Sequence, residues 1–323
     1  MKPLFFLVLI FSSSICLAQD KIISVSFMKD NGRYVTNKDS SDYFRLVSAP
    51  DSGSRLYNIS EYYKDGKRKL IGKTSTVDPP AFDGQCLTFY KNGSKKSVVN
   101  YKNNIPVGDE YDFFPNGKLY LQKEYPDNGD RYNDIEGNYL IKANYDSLGT
   151  ALVANNNGYY KVYDDKFSYI EEEGTVKNGK RDGAWKGTDK GRGITYTENY
   201  KDGALTEGKS VDKDGQAVSY TKRGIPPQFK GGLDAFGDYL SRSINYPTDA
   251  REKNIQGRVN VSFVVEKDGK VSDVQVTRSV SPSLDAEAVR VIKRSPKWEP
   301  GVQYGRPVRV IYSVPISFAL TGN

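Results

Sequence analysis

The chain of 323 residues has no histidine, two cysteines, two methionines and two tryptophans. Without imidazole there is no Ser–His or Cys–His nucleophile pair, no histidine general base and no histidine metal ligand. Cys16 lies in an apolar leader, so cleavage behind Ala18 would leave Cys86 as the single thiol. A lone thiol closes no internal disulfide, and folding then rests on packing. Blocks of five or six like charges are missing as well. The net charge is +7, but the lysines and arginines are scattered, which argues against an arm for nucleic acid. No metal-ligand cluster stands out, and the glycine-rich runs GTDKGRG and KGGLD lack the strand–loop–helix setting that phosphate binding needs. Asp65, Asp202, Asp214 and Asp268 stand at turns, where aspartate caps main-chain groups rather than moving protons. These absences point away from an enzyme and from any cofactor or metal.

What is present is glycine (30) and tyrosine (24), against an apolar fraction of only 37%. Tyrosine supplies apolar area with a polar tip, so it suits thin sheets whose faces stay partly wet. Residues 1–18, MKPLFFLVLIFSSSICLA, read as a secretory signal: Lys2, an apolar run from Leu4 to Phe11, and a small-residue cleavage site before Gln19. Ile15 is bulky where a lipoprotein signal wants a small residue. The apolar run is short for a bilayer span, which takes about 20 residues. The expected product is an exported protein; a retained leader would instead leave the chain anchored in a membrane.

Residues 19–223 repeat one phrase: aromatics, a Lys or Pro, then Asn-Gly or Asp-Gly. The copies are YYKDGK (62–67), FYKNGS (89–94), FFPNGK (113–118), VKNGKRDGAW (176–185) and YKDG (200–203), with a weaker VDKDG (211–215). The glycines at 66, 93 and 117 lie 27 and 24 apart, and those at 179 and 203 lie 24 apart. Asx-Gly favours positive φ, as two-residue type I′ hairpin turns require, and aromatics beside such turns suit cross-strand pairing. The expectation is an all-β hairpin-repeat region in which each unit is buried by its neighbours. Residues 55–125 and 170–220 resemble the MORN-type repeats of bacterial antitoxin-like proteins.

The pattern changes at Gly224-Ile225-Pro226-Pro227, a stiff connector. Residues 224–323 read as an α+β domain in the order helix-β-β-helix-β, with one three-stranded antiparallel sheet. Leu233, Phe236, Tyr239, Leu240 and Ile244 recur at helical spacing, and Pro247 stops that helix. Val259, Val261, Phe263 and Val265 alternate along a first strand, and Asp268-Gly269 supplies the turn. On the return, Val271 is odd-numbered while Val274 and Val276 are even, which predicts a bulge near Ser272-Asp273. SPSLDAEAVRVIKRS (281–295) is a serine-capped helix with acid in its first turn and base in its last. From Val308 onward every second residue is large and apolar, a half-buried last strand that contains Pro315. Proline cannot donate to a ladder, so this strand belongs at an edge or a bulge. If the odd-numbered residues face outward, a guest strand would pair best along Arg309 to Ser313; if they face the hairpin, the edge is unbroken.

PPQFKGGLDAFGDYLSRSINYP, GRVNVSFVVEKDGKVSDVQV, LDAEAVRVIKRSPKWEPG and GRPVRVIYSVPISF resemble the C-terminal domain of TonB-family energy transducers, from Pro226 to Leu320. The landmarks are Tyr246-Pro247, Gly257-x-Val259, Asp268-Gly269, Trp298-x-Pro300-Gly301 and the proline in the last strand. The resemblance implies that the last strand pairs with a short segment, the TonB box, of an outer-membrane TonB-dependent receptor, or with another envelope protein. In the family, this coupling opens receptors for siderophores, vitamin B12 or glycans. Carried onto this sequence, the partner-binding residues are Arg309, Val310, Ile311, Tyr312, Ser313, Val314, Pro315, Ile316 and Ser317, with Tyr246 and Pro247 as a neighbouring contact. The chain departs from the family in carrying hairpin repeats where a transducer has a long Pro-rich linker. The alternative reading is therefore a cell-envelope scaffold or antitoxin-like binding protein that acts through its repeats without transducing energy. N-terminal sequencing of the exported protein is expected to begin at Gln19; a start at Met1 would restore an inner-membrane anchor.

Overall fold

The computed structural model describes residues 21–30, 32–127 and 139–320; the expected leader lies outside them. The repeated aromatic–Asx–Gly phrase makes two kinds of turn. In the copies around Gly66, Gly93 and Gly117 only the glycine has positive φ (+82°, +89° and +83°). Its N–H donates to the carbonyl three residues back (Tyr63, Tyr90, Phe114), and the Asx side chain accepts from the N–H two residues on. These are three-residue loops closed by a glycine bulge, not the type I′ turns expected, because the extra Lys or Pro lets Asp65, Asn92 and Asn116 cap the loop. Type I′ turns do occur where two residues separate the paired strands: Asn178-Gly179 (+52°, +77°) and Asp202-Gly203 (+50°, +89°).

The described residues form two compact units, 21–127 with 145–150, and 139–144 with 151–320. In the first, Ile22–Met28 pairs with Tyr43–Ser48, and from there each strand to Leu119–Tyr125 pairs antiparallel with the next. Cys86 is buried there, and burial pushes its thiol up to about 12, so it is inert as a nucleophile.

In the second unit a meander runs from Ala151–Ala154 to Ala217–Tyr220. Its buried face is set by pairs in which an aromatic ring lies over a glycine of the neighbouring strand. Trp185 faces Gly174, and Tyr220 faces Gly208. A Cβ on Gly174 would stand 2.2 Å from Trp185, and one on Gly208 would stand 2.3 Å from Tyr220. Any side chain there would lift the ring off the sheet.

Onto this face folds the C-terminal domain. Its strands are β1 (Gly224–Ile225), β2 (Gly257–Val265), β3 (Val271–Arg278), β4 (Gly301–Gln303), β5 (Arg306–Val308) and β6 (Val310–Phe318). Its helices are α1 (Gly232–Ser243), α2 (Thr248–Glu252) and α3 (Pro282–Lys293). The main sheet has the order β3-β2-β6, all antiparallel. The bulge falls where the valine phase placed it, with Asp273 at φ +49°. Ser281 caps α3 by accepting from the Leu284 N–H. Glu287 adds more than helix polarity, since it accepts from the Asn245 N–H at 2.6 Å and pairs with Arg290. One core joins the helices to the sheet, with Trp298 at its hub: its ring meets Phe229, Phe236, Phe263 and Tyr312 at centroid distances of 5.2–5.5 Å.

The last strand does not run on from Val308. Residues 306–308 pair with β4, the chain changes sheets at Arg309, and only Val310–Phe318 pairs with β2. β4 and β5 make a hairpin around Tyr304-Gly305, and β1 adds to its other side.

Beneath that hairpin the meander buries Glu172 and Glu198. Arg223 bridges both carboxylates, and Arg181 completes Glu172. Tyr196 donates to Glu172, and Tyr200 and Tyr220 donate to Glu198. Burial alone would raise the Glu172 carboxyl, yet Arg181 and then Arg223 outweigh it and hold it below its ordinary 4.5. Removing one member of such a group strands the rest in a dry interior. Arg223→Ala is expected to cost about 3–5 kcal/mol in urea unfolding followed at Trp185. A carboxyl depressed by folding contributes fully above its unfolded value. The stability of this unit should therefore hold above a pH of about 4.5 and fall as acid carries Glu172 through its lower folded value.

A candidate strand-addition edge

β6 is an edge strand. It pairs with β2 over its whole length, Val310 with Val265 through Phe318 with Gly257, and among the described residues nothing pairs on its other flank. Which main-chain groups face that flank follows from the hairpin. The Glu266 N–H donates to the Lys270 carbonyl at 2.8 Å, on the β3 side, and the Asn260 carbonyl accepts from Thr277 Oγ1 on the same side. N–H and C=O of one residue point the same way, and successive residues alternate. Even-numbered residues of β2 therefore bond to β3, and odd-numbered residues bond to β6. The register turns this into even-numbered bonding positions on β6, namely 310, 312, 314, 316 and 318.

The odd-numbered positions, Ile311, Ser313, Pro315 and Ser317, present their main chain outward. Ile311 and Ser313 each offer an N–H and a C=O; Pro315 offers a C=O only; Ser317 again offers both. The missing donor of Pro315 lies on the free flank and interrupts the outward row of N–H groups after Ser313.

Side chains alternate in step. Val314, Ile316 and Phe318 are buried, and Val310 and Tyr312 are half-buried. Tyr312 is locked against Phe263 and Trp298. Ile311, Ser313, Pro315 and Ser317 are exposed, and Ile311 keeps 74% of its surface open to solvent. The nine residues expected to bind from 309 to 317 thus divide: the even ones bond to β2, Ile311, Ser313, Pro315 and Ser317 lie on the open edge, and Arg309 precedes the strand.

Arg309, at the change of sheet, is paired with Glu266 at 2.9 Å and with Asp273, which ties the start of β6 to the turn and to the bulge of β3. Tyr246 lies at the opposite end. Its ring meets Phe318 edge-on at 5.9 Å, and its hydroxyl donates to the Ile255 carbonyl at 2.6 Å. Pro247 caps α2. Tyr246 thus packs against the end of β6, at Phe318.

The turn is held by a contact that the dipeptide itself does not reveal. The Trp298 N–H donates to the Gly269 carbonyl at 2.8 Å, and a Cβ on Gly269 would stand 2.1 Å from the Trp298 carbonyl oxygen. With φ at +81°, this position accepts glycine only. The β4–β5 hairpin has only a weak mark in the sequence, since Tyr304 is an uncommon residue for a type I′ turn; the pairing of GVQ with RPV about Tyr-Gly is its signal. Among the described residues no three His, Cys, Asp or Glu side chains converge as a metal site, and no helix is long and apolar enough to cross a membrane.

An α+β domain that exposes one strand of its sheet belongs to the folds able to bind by strand addition. Comparison with known proteins agrees on the family. Residues 242–320 match the family model described as "Gram-negative bacterial TonB protein C-terminal", so the chain carries a TonB-family C-terminal domain. Protein TonB of Pseudomonas aeruginosa is 36% identical over 63 residues, which make up 20% of this chain and 18% of that protein. Two NMR solution structures of the Helicobacter pylori TonB C-terminal domain are 27% identical. The first match covers 28% of this chain and 96% of that one, with a TM-score of 0.23. The second covers 27% and 78%, with a TM-score of 0.22.

Hydrogen exchange read at single amides checks the edge. Tyr312, Val314 and Ile316 should be protected, and Ile311, Ser313 and Ser317 should exchange near the rate of an open chain. Equal protection of both sets would mean that the flank is covered.

Proposed function

We propose that the chain is an exported, periplasmic TonB-like protein whose C-terminal domain holds an extended segment of an outer-membrane TonB-dependent receptor, or of another envelope protein, by strand addition to β6, in support of TonB-dependent transport. It works by binding and carries out no chemistry of its own. The observation that carries this reading is the outward row of main-chain groups at Ile311 and Ser313, bounded by Pro315. A guest strand gains up to four main-chain hydrogen bonds on these two residues, each contributing about 0.5–1.5 kcal/mol net. Side-chain contact beside Ile311 adds apolar area. Such an inventory supports weak, reversible capture, in the micromolar range or weaker.

The full exported chain should bind a TonB-box-like peptide with that affinity in calorimetry. Ile311→Pro or Ser313→Pro removes one outward donor and should weaken binding roughly tenfold, with the fold kept because neither N–H is used inside the domain. Pro315→Val supplies the missing donor and should tighten binding by a factor of about 5. The reading fails if no plug-region peptide from the receptors of the same genome binds, or if these three changes leave affinity untouched.

A further inference from the structure

The β4–β5 hairpin lies outside the main β3-β2-β6 sheet, yet its last residue, Val308, is separated from β6 by Arg309 alone. Its tip is set into the buried face of the meander. Tyr304, at φ +53°, stacks on Tyr196 with centroids 4.6 Å apart and meets Tyr220 edge-on. The Tyr304 carbonyl accepts from Ser210 Oγ at 2.8 Å, and its N–H donates to the Arg223 carbonyl at 2.8 Å. Gly305 passes so close to Val218 that a Cβ would stand 2.8 Å away. Arg306 reaches Asp212 at 2.9 Å and also Ser210 Oγ. Ile194, Tyr196, Tyr220 and Tyr304 together form one buried cluster, directly over the Glu172–Arg223–Glu198 group.

We propose that this hairpin is a peg that fuses the meander and the TonB-like domain into one cooperative body, with Tyr304, Gly305 and Arg306 as positioning residues for β6. The meander then acts as a rigid arm that holds the edge strand in a fixed attitude, where a flexible tether would leave it free to turn. Load on a guest bonded to β6 passes through Arg309 into β5 and out into the meander, by way of buried rings and ion pairs. This consequence for a partner rests on the strand-addition reading; the coupling itself does not.

The tryptophan count makes the coupling measurable. The chain has two. Trp185 is buried in the meander, and Trp298 is buried in the C-terminal core. Trp298→Phe leaves a reporter of the first, and Trp185→Phe leaves a reporter of the second. In urea, both reporters should give one midpoint, the mark of a single cooperative transition. Arg306→Asp should part the two midpoints by on the order of 1 M urea, and Asp212→Arg added to it should draw them together again. Should either tryptophan variant fail to fold, hydrogen exchange of the unsubstituted chain along the same urea series decides, with loss of protection in 170–220 and in 229–318 expected at one concentration. Separate transitions in the parent chain, or coincident ones that Arg306→Asp leaves in place, would overturn the proposal. Coincident transitions in a chain that binds no peptide would keep the coupling and remove the strand-addition reading; the opposite pair of results would do the reverse.

Discussion

The alternation of main-chain groups along one strand governs the rest of this structure. Nine residues, Val310–Phe318, divide their hydrogen-bonding capacity between two flanks, and β2 uses only the even-numbered half. Every large apolar side chain on the strand except Ile311 is turned toward the core. The open flank is therefore defined by backbone geometry and does not depend on any one exposed side chain. A proline placed on that flank limits how far an incoming strand can pair, as edge strands in general must be kept from indiscriminate pairing. The open donors and the break in their row thus occupy neighbouring residues.

The second determinant is the buried group of charges that ties sequence neighbourhoods far apart. Arg223 meets carboxylates 51 and 25 residues earlier, and the residue that covers them, Tyr304, comes much later in the chain. Buried ion pairs are a weak source of net stability but a strong source of specificity, since an unpaired member is costly. Here they hold Arg223, whose carbonyl accepts from the Tyr304 N–H, and Tyr196, on which Tyr304 stacks. The Asx-Gly hairpins, which read from sequence as an all-β repeat region, supply a face of tyrosines and glycines that receives one hairpin tip.

Local periodicity made much of this legible before any coordinates. The valine phase along 271–276 placed a bulge near Ser272-Asp273, the serine before Pro282 marked the helix cap, and the alternation from Val308 onward, with Pro315 inside it, marked a last strand at an edge or a bulge. What was hidden was non-local. Val308 has the same parity as the strand that follows, so periodicity could not reveal the change of sheets at Arg309. Asx-Gly alone does not distinguish a two-residue turn from a three-residue loop, because that depends on how many residues separate the paired positions. The buried carboxylates sit in ordinary alternating strands, and nothing local separates Glu198 from an exposed glutamate. The outward face of Pro315 needed the hairpin register, and the remaining residues of the edge needed only parity once that register was known.

The central claim is that a guest strand lies along the odd-numbered flank of β6, and it is tested most directly by interstrand nuclear Overhauser effects in the complex of the labelled chain with an unlabelled receptor peptide. The account predicts cross-peaks from peptide backbone protons to those of Ile311 and Ser313, ending at Pro315, with the β2 pairing unchanged. Cross-peaks confined to the meander, or a segment of the chain itself occupying that flank, would contradict it.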